Sequence, residues 1–312
     1  QQKNQDFGLE LSQQIKLAKN ALNAMSLTNN FAKLVIITGH GSSSTNNPHA
    51  TGYDCGACGG NSGEANAKVA AEVLNNSEVR FGLAKEGINI PTDTYFIAAE
   101  HDTTTDEVKL FKTELVPDQL KQELAQLKKW LMVAGHATRT ERALRLNVNG
   151  KSLDRKVIAR SKDWSQVRHE WGLAGCNTFV VAPRERTKDA NLEGKSFLHS
   201  YDWKADKGFN VLELIMTAPM VVTNWINMQY FASTVDNKNF GSGNKTLHNI
   251  TGGIGVLEGS SGDLRVGLPW QAVHDGENYQ HLPQRLNVVI EAPIEAINDI
   301  LEKHQNVKDL CD

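Results

Sequence analysis

Apolar residues recur at helical spacing over Gln13–Met25, which predicts an amphipathic helix at the start of the chain. The run Phe31–Thr38 (FAKLVIIT) is short, apolar and β-branched, the pattern of a buried parallel strand. It gives way at Gly39-His40-Gly41 to a loop of Ser, Thr, Asn, Pro and Gly that lasts until about Gly63. A helix is predicted next, over Glu64–Leu74, with Ser62 placed to cap it. A second strand is expected at Thr94–Ala99, ending at Glu100-His101 and the polar turn DTTTDE. From Pro117 to about Leu146 the Lys/Arg/Glu alternation reads as a solvated helical face. Further strands are expected at Thr178–Ala182 and Leu286–Ile290, with a last helix from about Pro293 to His304. The longest apolar run, Leu212–Ala232, carries Glu213, Pro219, Asn224, Asn227 and Gln229. It is too polar to span lipid comfortably and is predicted to be a buried helix broken near Pro219.

Together these elements predict an α/β fold, a mostly parallel sheet flanked by helices. The chain is expected to form one α/β region over 1–312, with a helical insertion at about 117–160. Ligands in such folds gather where strands end and loops begin. The N-terminus is polar and resembles no signal peptide, and the chain starts at Gln1 without a Met. It stops at Leu310-Cys311-Asp312 with no obvious closing element, so a piece of a longer protein is expected.

Composition removes some functions. With 33 Lys+Arg against 36 Asp+Glu the net charge is −3, and no basic excess offers nucleic acid a footprint. Four cysteines, Cys55, Cys58, Cys176 and Cys311, are too few and too scattered for a disulfide scaffold.

The chemistry concentrates in Gly39–Gly63, GHGSSSTNNPHATGYDCGACGGNSG, which packs two His, one Asp, two Cys and seven Gly into one loop. Glycine at that density lets backbone turn tightly and pass close to a bound ion. Imidazole and thiolate are preferred zinc ligands, and His40 sits where a strand would hold its ring. Cys55 returns from the loop as its partner. Three readings of Cys55-x-x-Cys58 stand at this point: zinc ligation, a redox couple, or a structural glycine loop. His49 is expected on the loop surface. His101 is expected to support the site or to be a satisfied turn residue. No partner spacing argues for a metal at His136, His169, His199, His248, His274, His281 or His304.

At these residues the sequence resembles the DabA family, large soluble subunits of bacterial inorganic-carbon accumulation complexes. AEHDTTTDEV (99–108), DWSQVRHEWGLAG (163–175), FLHSYDWKAD (197–206), the stretch 216–249 and GDLRVGLPWQAV (262–273) are similar to family blocks in family order. The resemblance implies a β-carbonic-anhydrase-like fold, seen here as the C-terminal portion of a larger protein. It also implies a Zn2+ site of two Cys, one His and one Asp, with His40 and Cys55 as two of the ligands. Gly39, Gly41, Asp54, Cys58, His101 and Asp106 are the candidates to support them. The other Cys and the Asp belong to a Cys-x-Asp-x-Arg motif that this sequence lacks, so its catalytic residues are unknown and the upstream part of the protein is needed to complete the site. The implied activity is hydration of CO2 to bicarbonate, coupled to an antiporter-like membrane subunit of the DabB type. The implied location is peripheral, on the cytoplasmic side of the bacterial inner membrane, with no transmembrane segment in this chain. The alternative is a non-catalytic scaffold that docks the membrane subunit.

Overall fold

The computed structural model describes residues 8–251 and 255–311, apart from the side chain of Ala57. The first residues of the polar N-terminus, and Asp312, lie outside them. Two compact units emerge, one running to Leu22 and over Leu27–Glu170, the other comprising Asn23–Ser26 and the chain from Trp171 on.

In the first unit, helix α1 (Leu11–Ala24) precedes strand β1 (Leu34–Gly41), and α2 (Glu64–Asn75) and α3 (Ser77–Lys85) precede β2 (Tyr95–Asp102). Strand β3 (Glu107–Leu110) and helices α4 (Lys121–Arg145) and α5 (Leu153–Ser161) complete it. The sheet order is β1-β2-β3, with β1 parallel to β2 and β3 antiparallel to β2. Side chains alternate between the two faces of a strand, so β2 serves two cores. Phe96 and Ala98 pack against Ala18, Leu22, Ala67, Ala71, Leu74, Val79 and Leu83, whereas Ile97 packs against Val116, Leu120 and Leu124. Burial on both faces is why this strand reads as a continuous apolar run. Each such Leu or Phe contributes about 1.5–3 kcal/mol on burial.

The second unit opens with β4 (Thr178–Ala182) and β5 (Ser196–Ser200), then α6 (Asn210–Thr217), α7 (Pro219–Val235) and the short α8 (Asn237–Phe240). It continues through β6 (His248–Thr251), β7 (Gly255–Glu258), α9 (Trp270–Val273), β8 (Asn287–Ile290), α10 (Ile294–Lys303) and α11 (Gln305–Cys311). Strands β5-β4-β8 form an all-parallel sheet and β6-β7 an antiparallel ribbon. Phe179, Val181, Leu212, Ile215, Met216 and Ile300 form its core.

The architecture is therefore mixed α/β, built from three small sheets among the described residues. The helical stretch expected at about 117–160 is α4 and α5. The apolar run 212–232 breaks at Ala218-Pro219, because proline removes an amide donor and suits the first turn of a new helix. Asn210–Val235 is long and apolar enough by composition to cross a membrane, a test that core helices also pass. Buried Asn224 and Asn227 fit a helix packed into protein. Helix α2 starts at Glu64 with Gly63 at its N-cap; the expected cap, Ser62, instead places its Oγ 3.4 Å from the Glu64 amide.

Candidate functional site

His40 lies in the last turn of the β1 ladder, paired with His101 of β2. Partners across a parallel ladder point to the same face, so the two imidazoles are neighbours. His40 remains solvent-exposed. Partial burial still lowers its pKa, opposed by the nearby Asp54 carboxylate and reinforced by His101. The ring is therefore neutral near pH 7, the form in which histidine ligates a metal.

The loop after His40 is tied back to the strand end at both of its arms. Asp54 Oδ1 accepts from the Ser42 amide at 2.9 Å and from Ser42 Oγ at 3.0 Å, which ties the residue before Cys55 to a position two residues beyond His40. At the other arm the Gly63 amide donates to His40 O at 2.7 Å. Cys55 N donates to Asn61 O at 3.1 Å, and Cys58 N and Gly60 N donate to Cys55 O, both at 3.0 Å. Gly60 adopts a φ of +76°, a left-handed conformation natural to glycine. Cys55 and Cys58 are half-buried, and Asn66 Nδ2 donates to Cys58 Sγ at 3.2 Å. That bond fits Cys58 as a residue that holds the loop.

His49 departs from expectation, being only 8% exposed. Its ring fills the space left by the missing side chain of Gly52, where a Cβ would come within 2.4 Å of the imidazole.

Behind His101 stands a buried polar network. His101 Nε2 donates to Asp106 Oδ1 at 3.2 Å, and Asp106 is ion-paired with Arg142 of α4. Asp106 is buried, at a φ of +54° that Asp tolerates better than most residues. Gly135 of α4 lets the helix approach, since a Cβ there would lie 2.5 Å from Asp106 O. Arg139, also buried, donates to Thr105 O at 2.9 Å. The face of α4 expected to be solvated thus carries two arginines turned inward, because the carbonyls and carboxylate of the 102–107 turn need cationic donors.

Glu170 completes the network. The residue is 4% exposed, and its carboxyl lies 2.7 Å from Thr103 Oγ1 and 4.0 Å from Arg142 Nη2. Burial pushes its pKa up to about 7, with Asp106 and Asp102 reinforcing and Thr103 and Arg142 opposing. No local motif marks Glu170, Thr103 or Arg142, because their partners lie far away along the chain.

The donor set suits zinc in kind: a neutral imidazole and a thiol held to one loop base. It does not suffice in number, since no group of three or more His, Cys, Asp or Glu side chains is placed to hold a metal among the described residues.

Comparison with known proteins supplies the class first: the profile described as "Probable inorganic carbon transporter subunit DabA" matches residues 1–312. The chain belongs to the DabA family. It is 58% identical over 306 residues to the probable inorganic carbon transporter subunit DabA of Chloroflexus aurantiacus, covering 98% of this chain and 36% of that protein. Relatives in Chloroflexus aggregans and in Bradyrhizobium sp. strain ORS 278 are 59% and 56% identical, over 98% of this chain and 37% and 36% of their own lengths. The chain therefore spans little more than a third of these curated relatives. No solved structure matches it.

Proposed function

We propose that this chain is part of the zinc-binding soluble subunit of an energy-coupled inorganic carbon uptake complex, which hydrates CO2 to bicarbonate. His40 and Cys55 are two of the zinc ligands, and the part of the protein beyond this chain brings the remaining Cys and Asp. The pair of hydrogen bonds from Ser42 to Asp54 carries the reading, because it closes the loop one residue before Cys55 and two residues after His40. Zinc held there would supply the Lewis acidity that brings the pKa of a coordinated water to about 7.

This chain's own residues contribute binding and orientation. Cys55 binds as thiolate and His40 as the neutral ring, so assembly of the site releases the thiol proton. Gly39 and Gly41 let the strand end pack closely against the returning loop, where a Cβ would meet Gly63 O at 2.4 Å and Ser62 Cβ at 2.8 Å, respectively. Asp54, Cys58, His101 and Asp106 fix the two arms. The names of the relatives support a role in inorganic carbon uptake. A transporter subunit needs a membrane partner, here an antiporter-like subunit of the DabB type, with this chain peripheral on the cytoplasmic face.

The test is zinc stoichiometry by elemental analysis on the full-length protein. One zinc per chain is expected, lost in His40→Ala and in Cys55→Ala together with carbon-dependent growth. Full-length protein without zinc, or growth indifferent to both substitutions, would replace this reading with a non-catalytic scaffold.

A further inference from the structure

One buried acid is linked to both arms of the loop without belonging to it, to one directly and to the other through Thr103. Glu170 receives a hydrogen bond on its backbone carbonyl from Tyr53 Oη at 3.2 Å, two residues before Cys55. Its side chain meets Thr103 Oγ1 at 2.7 Å, and that hydroxyl lies 3.2 Å from Gly41 O, one residue beyond His40. The Thr103 amide holds the same carbonyl at 2.8 Å.

Hydrogen-bond capacity makes this junction two-state. A threonine hydroxyl has one proton to donate, yet Thr103 Oγ1 faces two oxygens, Gly41 O and Glu170 Oε1. When Glu170 is ionised, the carboxylate is the stronger acceptor and takes that proton, leaving Gly41 O with the Thr103 amide alone. When Glu170 is protonated, its own O–H donates to Thr103 Oγ1, and the hydroxyl turns to Gly41 O. Arg142 adds a second mark of two states. It is paired with Asp106, while its Nη2 is buried, has no hydrogen-bond partner among the described residues, and stops 4.0 Å short of Glu170 Oε2. That spacing suits a neutral carboxyl, and ionisation draws the guanidinium in.

We propose that Glu170 is a positioning residue for both arms of the His40–Cys55 loop, and that through the Thr103 hydroxyl its protonation state sets the hydrogen bonding of the Gly41 carbonyl. The inference deepens the reading above and rests on it for the meaning of His40 and Cys55. The charged and titratable groups facing Glu170 are Asp102 and Asp106 from β2 and its turn, Arg142 from α4, Tyr53 from the loop, and His169 beside it in sequence. Burial together with the two aspartates is what moves its titration toward neutral pH. CO2 hydration yields one bicarbonate and one proton, so a group that changes state near neutrality beside the loop would register turnover as a change in strand-end geometry.

The experiment is an NMR titration of this 312-residue chain without zinc, following the Glu170 side-chain carboxyl carbon and the Thr103 and Gly41 amides from pH 5 to 9. Both amides are expected to shift with the same midpoint as the Glu170 carbon, near pH 7. In Glu170→Gln that midpoint should vanish from the amides. In Thr103→Val the carboxyl should still titrate while the Gly41 amide stops following it, and Thr103→Ser should restore the coupling. Persistence of the amide midpoint in Glu170→Gln, or a Glu170 titration that leaves both amides unmoved, would overturn the proposal. Because no zinc is present, the outcome is independent of the zinc stoichiometry that decides the reading beneath it.

Discussion

Gly39 and Gly63 pass so close that neither has room for a side chain. A Cβ on Gly39 would lie 2.4 Å from Gly63 O, and one on Gly63 would lie 2.8 Å from Gly39 Cα. Both clashes are with backbone, which cannot swing aside. Gly39→Ala and Gly63→Ala are each expected to destabilise the first unit by about 1–3 kcal/mol, as overpacking does. Gly56→Ala, whose Cβ meets nothing within 4 Å, serves as the control and is expected to leave the urea midpoint nearly unchanged.

The bonds from Ser42 to Asp54 can be separated from the charge they involve. Asp54→Asn keeps an oxygen that accepts from both donors, whereas Asp54→Ala keeps none. Alanine is expected to cost about 1.5–3 kcal/mol of loop closure, the range for hydrogen bonds to a charged group. Amide exchange over residues 42–61 should accelerate in the alanine variant and stay near wild type in the asparagine one. Equal acceleration in both would assign the effect to charge.

Arg142→Ala strips the buried Asp106 of its cation. Breaking a buried pair by removing one partner typically costs about 3–5 kcal/mol. The double variant Arg142→Ala with Asp106→Asn should be less destabilised than Arg142→Ala alone, because it removes the stranded charge. Chemical denaturation of the single and double variants checks this.

Glu170 gives stability a pH dependence of definite sign. Its folded pKa of about 7 lies above the ordinary 4.5, so the folded protein holds this proton more tightly than the unfolded chain does. The stabilisation is complete below pH 4.5, is lost as pH rises to about 7, and then levels off; linkage puts it on the order of 3 kcal/mol. Urea midpoints at pH 5 and pH 8 should differ by this component in wild type. Glu170→Gln should lack it.

Much of the fold was legible because periodicity reports burial directly. The strand at Thr178–Ala182 and the helix at Glu64–Leu74 follow from apolar spacing alone. The strand predicted to end at Thr38 instead runs through Gly41, since ladder pairing of Gly39, His40 and Gly41 with β2 outweighs the poor strand propensity of glycine. The paired histidines at the strand ends were half legible: His40 and His101 were both named, but only the register makes them neighbours. Glu170 and Arg142 escaped because a buried acid and an inward arginine look, in sequence, like any others on charged segments. Their roles arise from tertiary partners, which carry no periodic signal.

The crowding of glycine backbone around His40 also bears on how genetic data for this loop should be interpreted. In a saturation scan, Gly39, Gly52 and Gly63 would appear as intolerant as any metal ligand, although they have no side-chain atom to offer one. Loss of function across 39–63 therefore cannot by itself nominate catalytic residues. Phenotype has to be paired with protein abundance before ligand and spacer can be told apart.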